Sequence, residues 1–152
     1  MYGASTQKSA PWGLARISNY QARMNSVDNA DLDAYGHGTH IAGTIESKTY
    51  SVAKKTQLFA FKVLNEYTAG QTSGILAGMN LIVEDAATRK CPKDIVVNMS
   101  PSVASSPAIS TAARYTVKSG YFLAVADGND NTDASHVSPS NEPMTCPVGA
   151  TA

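Results

Sequence analysis

The sequence predicts a three-layer α/β domain built around a mostly parallel β-sheet. Short apolar runs alternate along the chain with stretches of helical periodicity, and turn-forming residues separate them. This alternation favours a parallel sheet with right-handed crossover helices. Two of the runs are apolar on both faces, which is typical of buried parallel strands. The predicted strands are 57–64, 95–100, 121–126 and 144–149.

The first part of the chain contains little regular periodicity. Residues 1–18 carry one apolar patch and are expected to form an arm over the core, and residues 19–35 are polar and indicate a loop. A helix is predicted from Thr39 to about Thr49, with Thr39 as its cap. We therefore divide the single partial domain of residues 1–152 into an irregular segment, 1–35, and an α/β core, 36–152.

Two further helices are predicted in the second part of the chain. Residues 73–89 carry apolar side chains at spacings of three and four, which indicates an amphipathic helix. A second helix is predicted over 107–118, because Pro107 stands at its start and Gly120 follows its end. Residues 127–142 are predicted to form a long polar loop.

Composition excludes several classes of function. The chain has 152 residues, with 12 basic and 12 acidic side chains, so no net charge directs it to nucleic acid or anionic lipid. No window approaches the ~20 apolar residues that a membrane-spanning helix needs. The first eight residues have no apolar core of a secretory signal. We expect neither nucleic-acid nor membrane binding.

One motif makes the family recognisable. The stretch 35–44 reads Tyr-Gly-His-Gly-Thr-His-Ile-Ala-Gly-Thr. It resembles the catalytic-histidine signature of subtilisin-like serine proteases, in particular the proteinase K-like branch. The resemblance continues through most of the chain, most clearly at 10–18, 52–59, 91–93 and 128–139. It implies a serine-type endopeptidase domain that acts on peptide or protein substrates.

The resemblance assigns two residues of the chemistry. His37 matches the general base, because an imidazole can take a proton from a serine hydroxyl and return it to the leaving amine. Asn129 matches the side-chain donor of the oxyanion hole. A zinc site that uses His37 and His40 is the alternative, but no third ligand stands nearby in the sequence. His40 is expected to pack on its helix and His136 to be an exposed loop residue.

Further residues match the substrate-binding surface of the family. Two segments match those that clamp an extended peptide through main-chain hydrogen bonds, and a third matches a wall of the specificity pocket. They are Thr68, Ala69 and Gly70; Ser100, Pro101 and Ser102; and Ala126, Asp127 and Gly128. The sequence departs from the family here, because Pro101 has no N–H, Ser102 replaces a glycine, and Asp127 places a carboxylate where small residues are usual.

The resemblance also concerns calcium and the cysteines. Pro143 and Thr145 match carbonyl ligands of a structural calcium site whose completing carboxylate would lie beyond Ala152, so no bound cofactor is expected.

Cys91 and Cys146 match cysteines of two different disulfides in the family. We interpret them as two unpaired thiols, and a Cys91–Cys146 bridge is the alternative.

Two members of the catalytic triad have no match. No Asp-Thr-Gly or Asp-Ser-Gly turn precedes His37, and Asp28, Asp31 and Asp33 stand in polar sequence that matches nothing. No Gly-Thr-Ser-Met motif follows. The fold is thus expected to be incomplete, without the central aspartate-bearing strand and the serine-bearing C-terminal part. The missing strand would leave a gap between 57–64 and 95–100.

The expected activity follows from these losses. A serine protease of this kind needs serine, histidine and aspartate together. We expect an inactive fragment or pseudoenzyme, or a truncated gene. One alternative is a non-catalytic module that binds extended peptides, and another is a hydrolase completed by a second chain. Members of the family are secreted, which the missing signal segment does not match.

Overall fold

A computed structural model of the chain describes residues 33, 35–47, 51–53, 56–89 and 95–150. The chain divides into two compact units, Met1–Gly70 and Gln71–Ala152, and each is described here by itself. The arm predicted for 1–18 and most of the loop predicted for 19–35 lie outside the described residues. Cys91 does too.

Among the described residues of the first unit, helix α1 covers His37–Ile45. It begins two residues before the predicted start, because Gly36 adopts a left-handed conformation (φ 84°) that turns the chain into the helix. Thr39 therefore lies inside the first turn, and the prediction that it is the N-cap was wrong. Ala42 is the buried residue of this helix.

The strand predicted at 57–64 is not formed. Residues 56–63 have no regular secondary structure, and most of their side chains are half-buried. The apolar run at 57–64 predicted a strand, but the backbone of these residues is irregular. The predicted gap between 57–64 and 95–100 remains a prediction, since the two segments belong to different units.

A tight turn follows this segment. The Asn65 side-chain oxygen accepts hydrogen bonds from the amides of Tyr67 and Ala69, each at 3.0 Å. Thr68 adopts a positive φ of 58°, which is uncommon for a residue with a branched side chain. Gly70 packs so tightly that an added Cβ would lie 2.7 Å from the carbonyl oxygen of Val63. The predicted turn at 68–70 is present.

The second unit contains a three-stranded parallel sheet and a short two-stranded one. The strands are β1 (Val96–Met99), β2 (Val103–Ala104), β3 (Phe122–Ala126), β4 (Val137–Ser138) and β5 (Cys146–Val148). Strand β3 lies between β1 and β5, with Val97 beside Leu123 and Val125 beside Pro147. Strands β2 and β4 pair antiparallel.

Two helices accompany this sheet, α2 (Thr72–Thr88) and α3 (Pro107–Lys118). Their bounds agree with the predictions, because periodicity and capping are local properties of the sequence. Ser106 caps α3 through its hydroxyl, which accepts from the Ile109 amide at 3.5 Å. Helix α3 packs against both α2 and β3. The core contains Ile75, Met79, Val83, Val97, Met99, Ile109, Ala113, Leu123 and Val125.

On one face of the parallel sheet, the described residues include three exposed apolar side chains. Val96, Phe122 and Val148 are 64, 54 and 58% exposed, and the strand register places Val96 beside Phe122 on that face. The prediction that the strands at 95–100 and 121–126 are buried on both faces was therefore wrong. We call Val96, Phe122 and Val148 the open-face residues. The prediction of an incomplete α/β domain with a mostly parallel sheet is confirmed.

The segment predicted as a polar loop, 127–142, is more ordered than expected. It contains a short 3₁₀ helix, Ala134–His136, followed by β4. The hydroxyl of Ser138 is fully buried and bonds with Ser106 and Ser110 at 2.9 Å each. These bonds anchor the segment to the start of α3.

Candidate active site

The start of α1 presents His37 at the first helical position. Asp33 folds back onto this start: its Oδ1 accepts from the Gly36 amide at 3.0 Å. Its Oδ2 accepts from the amide and the hydroxyl of Thr39, both at 2.7 Å. The carboxylate thus takes over donors that the first turn leaves unsatisfied. Asp33 is an N-terminal anchor of the histidine helix, and the sequence analysis did not find this role.

The anchor changes the acidity of Asp33. Partial burial raises the pKa of this carboxyl, but the hydrogen bonds from Thr39 and Gly36 and the charge of Lys62 outweigh burial. The net pKa is lowered from its ordinary value of 3.8. Asp33 is therefore ionised at neutral pH, where a negative charge at a helix N-terminus is favourable.

The imidazole of His37 is exposed. Within the described part of its unit, no hydrogen bond to its ring is formed, and the Asp33 carboxylate bonds the backbone on either side of it. His40 is also exposed, so the expectation that it packs on its helix was wrong. No group of three His, Cys, Asp or Glu side chains is placed to hold a metal ion among the described residues.

In the second unit, two predicted segments lie side by side at the carboxyl end of the sheet. Met99 at the end of β1 lies beside Val125 of β3, so Ser100–Ser102 and Ala126–Asn129 both leave the sheet at its carboxyl end. Parallel sheets commonly bind ligands at the carboxyl ends of their strands. The geometry thus brings together one peptide-clamp segment and the oxyanion segment that the family resemblance implies.

Gly128 sets the path of the oxyanion segment. Its φ of 94° lies in the left-handed region, and an added Cβ would be 3.7 Å from Val137 and 3.8 Å from the Ser102 hydroxyl. A side chain at this position would be strained by the backbone conformation. Asn129, which follows, is exposed, as a donor to a bound substrate must be.

Asp127 differs from its neighbours in environment. Its amide donates to the Val148 carbonyl at 3.2 Å, which extends the ladder between β3 and β5. Its Oδ1 is buried, and none of the described residues donates a hydrogen bond to it. Asp127 lies one residue past the end of β3. Its role at the wall of a specificity pocket stays a prediction.

The candidate serines differ sharply in accessibility. Ser138 is fully buried, and its hydroxyl contacts Ser106, Ser110 and Asn141. Ser100 accepts a hydrogen bond from the Asn98 amide group at 2.9 Å, and Ser102 is exposed. No hydrogen bond joins any of these hydroxyls to a histidine within the described part of the second unit.

The turn at Pro143 and Thr145 is held by Glu142. This carboxylate accepts from Arg114 at 2.8 Å and from the Met144 amide at 3.3 Å. The Arg114 hydrogen bond lowers the pKa of Glu142 against the opposing effect of burial, and the Met144 amide and the charges of Arg114 and Lys118 add to this lowering. Glu142 is thus committed to protein donors, so the residues described in this turn do not form the carboxylate-rich ligand set that calcium prefers.

Four further findings concern the predictions. Cys146 is half-buried and forms no disulfide within the described residues. His136 is exposed, as expected. None of the helices in the described part of the chain is long and apolar enough to cross a membrane. The Arg114–Glu142 pair was missed, because it joins residues 28 positions apart and no local pattern marks it.

Comparison with known proteins identifies the family. Residues 14–152 match the model of the subtilase family, peptidase S8. Proteinase T of Parengyodontium album is 41% identical over 97% of this chain and 64% of its own length. An alkaline serine protease of Corniculantispora psalliotae is 50% identical over 85% of this chain and 34% of its own.

Solved structures give the same result. A crystal structure of a cold-adapted subtilisin-like serine proteinase superposes with a TM-score of 0.74 at 35% identity. The match covers 82% of this chain and 44% of that one, so the chain spans about half to two thirds of the first relatives. With a family match over nearly its whole length, the chain belongs to the subtilase family.

Proposed function

We propose that these 152 residues carry the histidine and oxyanion parts of a subtilisin-like endopeptidase site, and that by themselves they do not hydrolyse peptide bonds. The observation that carries this proposal is the placement of Asp33. It is the nearest acidic residue before His37, and its two oxygens bond the start of α1 instead of the imidazole. A triad aspartate must instead hold the histidine ring.

The serines support the same conclusion. A nucleophilic serine needs an accessible hydroxyl within hydrogen-bond reach of its base. Ser138 is buried in a network of polar side chains, and Ser100 is bonded to Asn98. Ser102 is exposed but stands in none of the sequence context that the family uses for its nucleophile.

The lengths of the alignments support a missing segment. The alignment with Proteinase T runs over 186 positions, which exceeds the 152 residues of the chain by 34. At least that many positions of Proteinase T therefore have no counterpart here. The C. psalliotae protease aligns over 129 positions, which is the number of residues in 85% of this chain, so that alignment needs no such gap. A continuous stretch of 129 residues within a chain of 152 must include residues 24–129. If both relatives align in the same register, the positions of Proteinase T that have no counterpart here therefore lie outside 24–129.

The chemistry that remains is partial. His37 can accept a proton, and an amide such as that of Asn129 can stabilise an oxyanion, which in a complete site is worth a few kcal/mol. Without a nucleophile that His37 activates, neither group starts acyl transfer. The exposed sheet edge with Ser100–Ser102 and Asn129 would contact peptide only weakly, since Pro101 lacks a donor.

The experiment is direct. The purified chain is assayed on a peptide anilide and treated with a fluorophosphonate, with Proteinase T as the positive control and His37→Ala as the matched variant. We expect no hydrolysis and no labelling in either form of the chain. Serine labelling that disappears in His37→Ala would overturn the proposal. Sequencing the flanking genomic DNA for in-frame Asp-Thr-Gly and Gly-Thr-Ser-Met codons then separates a truncated gene from a short protein.

A further inference from the structure

We propose that Asp33 is the positioning residue of His37: its carboxylate fixes the first turn of α1 and thereby the direction in which the imidazole leaves the helix. The inference rests on the proposed role of His37 as a base. It concerns a residue that matches no member of the catalytic triad, and it assigns Asp33 no contact with substrate.

The geometry places the anchor on both sides of His37. Oδ1 bonds the amide of Gly36, the residue before the histidine, and Oδ2 bonds Thr39, two residues after it. An added Cβ on Gly38 would lie 3.5 Å from the same Oδ2, so the carboxylate also packs against the backbone between them. These contacts enclose His37 and Gly38, and His37 is the one of the two that has a side chain.

Nothing else in the described first turn performs this task. Gly36, at the N-cap, has no side chain to accept a hydrogen bond. Glycine adopts negative φ about as readily as the left-handed conformation found here, so Gly36 alone does not fix the first turn. Helix α1 also has no acidic residue in its first turn. The orientation of His37 therefore depends on a side chain from outside the helix.

A carboxylate suits the position better than a neutral group. Three donors converge on its two oxygens, and the helix dipole adds a favourable interaction with negative charge. Asparagine has a single acceptor oxygen and would direct its NH₂ group at one of these donors. The isosteric variant Asp33→Asn therefore removes one acceptor and the negative charge with little change in volume, which weakens the anchor.

The test uses the three histidines of the chain as reporters. NMR on histidine-labelled protein measures the ring signals and the χ1 couplings of His37, His40 and His136. For Asp33→Asn we expect shifted His37 ring signals. The χ1 couplings of His37 should change from those of one rotamer to an average over several, while the His136 signals stay in place. His40 also lies in α1, so His40 signals that stay in place would show that the helix persists while His37 alone loses its direction.

The chain offers a matched control. Asp133 accepts from the Ser135 amide at 2.9 Å and precedes His136 in a similar arrangement. We expect Asp133→Asn to move the His136 signals and leave those of His37 unchanged. His37 signals that respond equally to both variants would overturn the proposal, because the effect would then be general.

A second pair of variants covers the case in which Asp33→Asn does not fold. Thr39→Val removes the hydroxyl donor at nearly constant volume, and Thr39→Ser keeps it. We expect Thr39→Val to reproduce part of the Asp33→Asn change at His37, and Thr39→Ser to resemble the parent chain. Unchanged His37 couplings in Thr39→Val would overturn the inference. The proposed absence of hydrolysis would be unaffected by that result, since it is measured separately.

Discussion

The amide and the hydroxyl of Thr39 donate to the same oxygen of Asp33, each at 2.7 Å. This double contact ties the third residue of α1 to a residue four positions before His37. Local propensity alone would not start a helix at Gly36-His37, since glycine is unfavourable within helices. The start of the histidine helix is therefore specified by a side chain outside it.

The first prediction concerns pH. The folded-state pKa of Asp33 lies below its ordinary value of 3.8, so its contribution to stability is present above that value. The contribution is lost as pH falls through the lower folded-state pKa. Urea unfolding of the parent chain and of Asp33→Asn should differ by a constant amount from pH 5 to 7, and the difference should shrink below pH 3.8. A difference that grows on acidification would contradict the anchor.

The second prediction concerns the Arg114–Glu142 pair. The Glu142 side chain is 2% exposed, so removing Arg114 leaves a buried carboxylate without its main partner. Arg114→Met should lower the urea midpoint at neutral pH. The loss should diminish as pH falls below 4.5, because the lowered pKa of Glu142 stabilises the fold only while the group is ionised. Lys118→Met, which removes a charge one turn along the same helix, should have a much smaller effect.

The third prediction compares adjacent residues on opposite faces of β3. Leu123 is 2% exposed, whereas Phe122 is 54% exposed. Leu123→Ala should reduce the free energy of unfolding by about 2–5 kcal/mol, since it leaves a cavity in the core. Phe122→Ala should change it by no more than about 0.5 kcal/mol. Equal losses, measured by urea unfolding, would show that Phe122 is covered in solution.

The fourth prediction concerns solubility. The open-face residues Val96 and Phe122 are neighbours in the register, and exposed apolar patches promote association. The double variant Val96→Thr, Phe122→Thr keeps strand propensity and should reduce light scattering at high concentration. We expect its melting temperature to stay close to that of the parent chain. Unaltered light scattering would show that the chain associates through a surface other than Val96 and Phe122.

The fifth prediction concerns calcium. A tight site needs six to eight oxygen ligands, including carboxylates, whereas Glu142 is held by Arg114 and the Met144 amide. The melting temperature in millimolar calcium should equal that in a chelator. A rise of several degrees that the chelator reverses would reveal a complete site.

Local patterns predicted the helices well. Apolar spacing placed α2 within one residue of its ends, and Pro107 with Gly120 placed the bounds of α3 correctly. The positions of β1 and β3 were predicted too, but their exposure was not. Whether a strand is covered on one face or two depends on segments distant in the sequence, and no property of Val96 or Phe122 encodes it.

The site was predicted unevenly for a similar reason. The glycines around His37 and Asn129 marked both segments, and Gly36 and Gly128 do adopt left-handed conformations there. The anchor Asp33 was missed, although an aspartate shortly before a helix is a typical capping signal. It was judged only as a candidate partner of the imidazole. The strand expected at 57–64 is not found, since these residues have no regular secondary structure.

The buried Ser138 hydroxyl has a consequence for how the second unit opens. Its bonds to Ser106 and Ser110 close a loop of chain that contains all of α3 and β3. Because the two ends of this segment are hydrogen-bonded to each other, the segment does not unfold from one end alone. In native-state hydrogen exchange, α3 and β3 should therefore become accessible together in a single cooperative event. Ser138→Ala, which unfastens the loop, should let the end of α3 near Ser106 exchange ahead of Leu123.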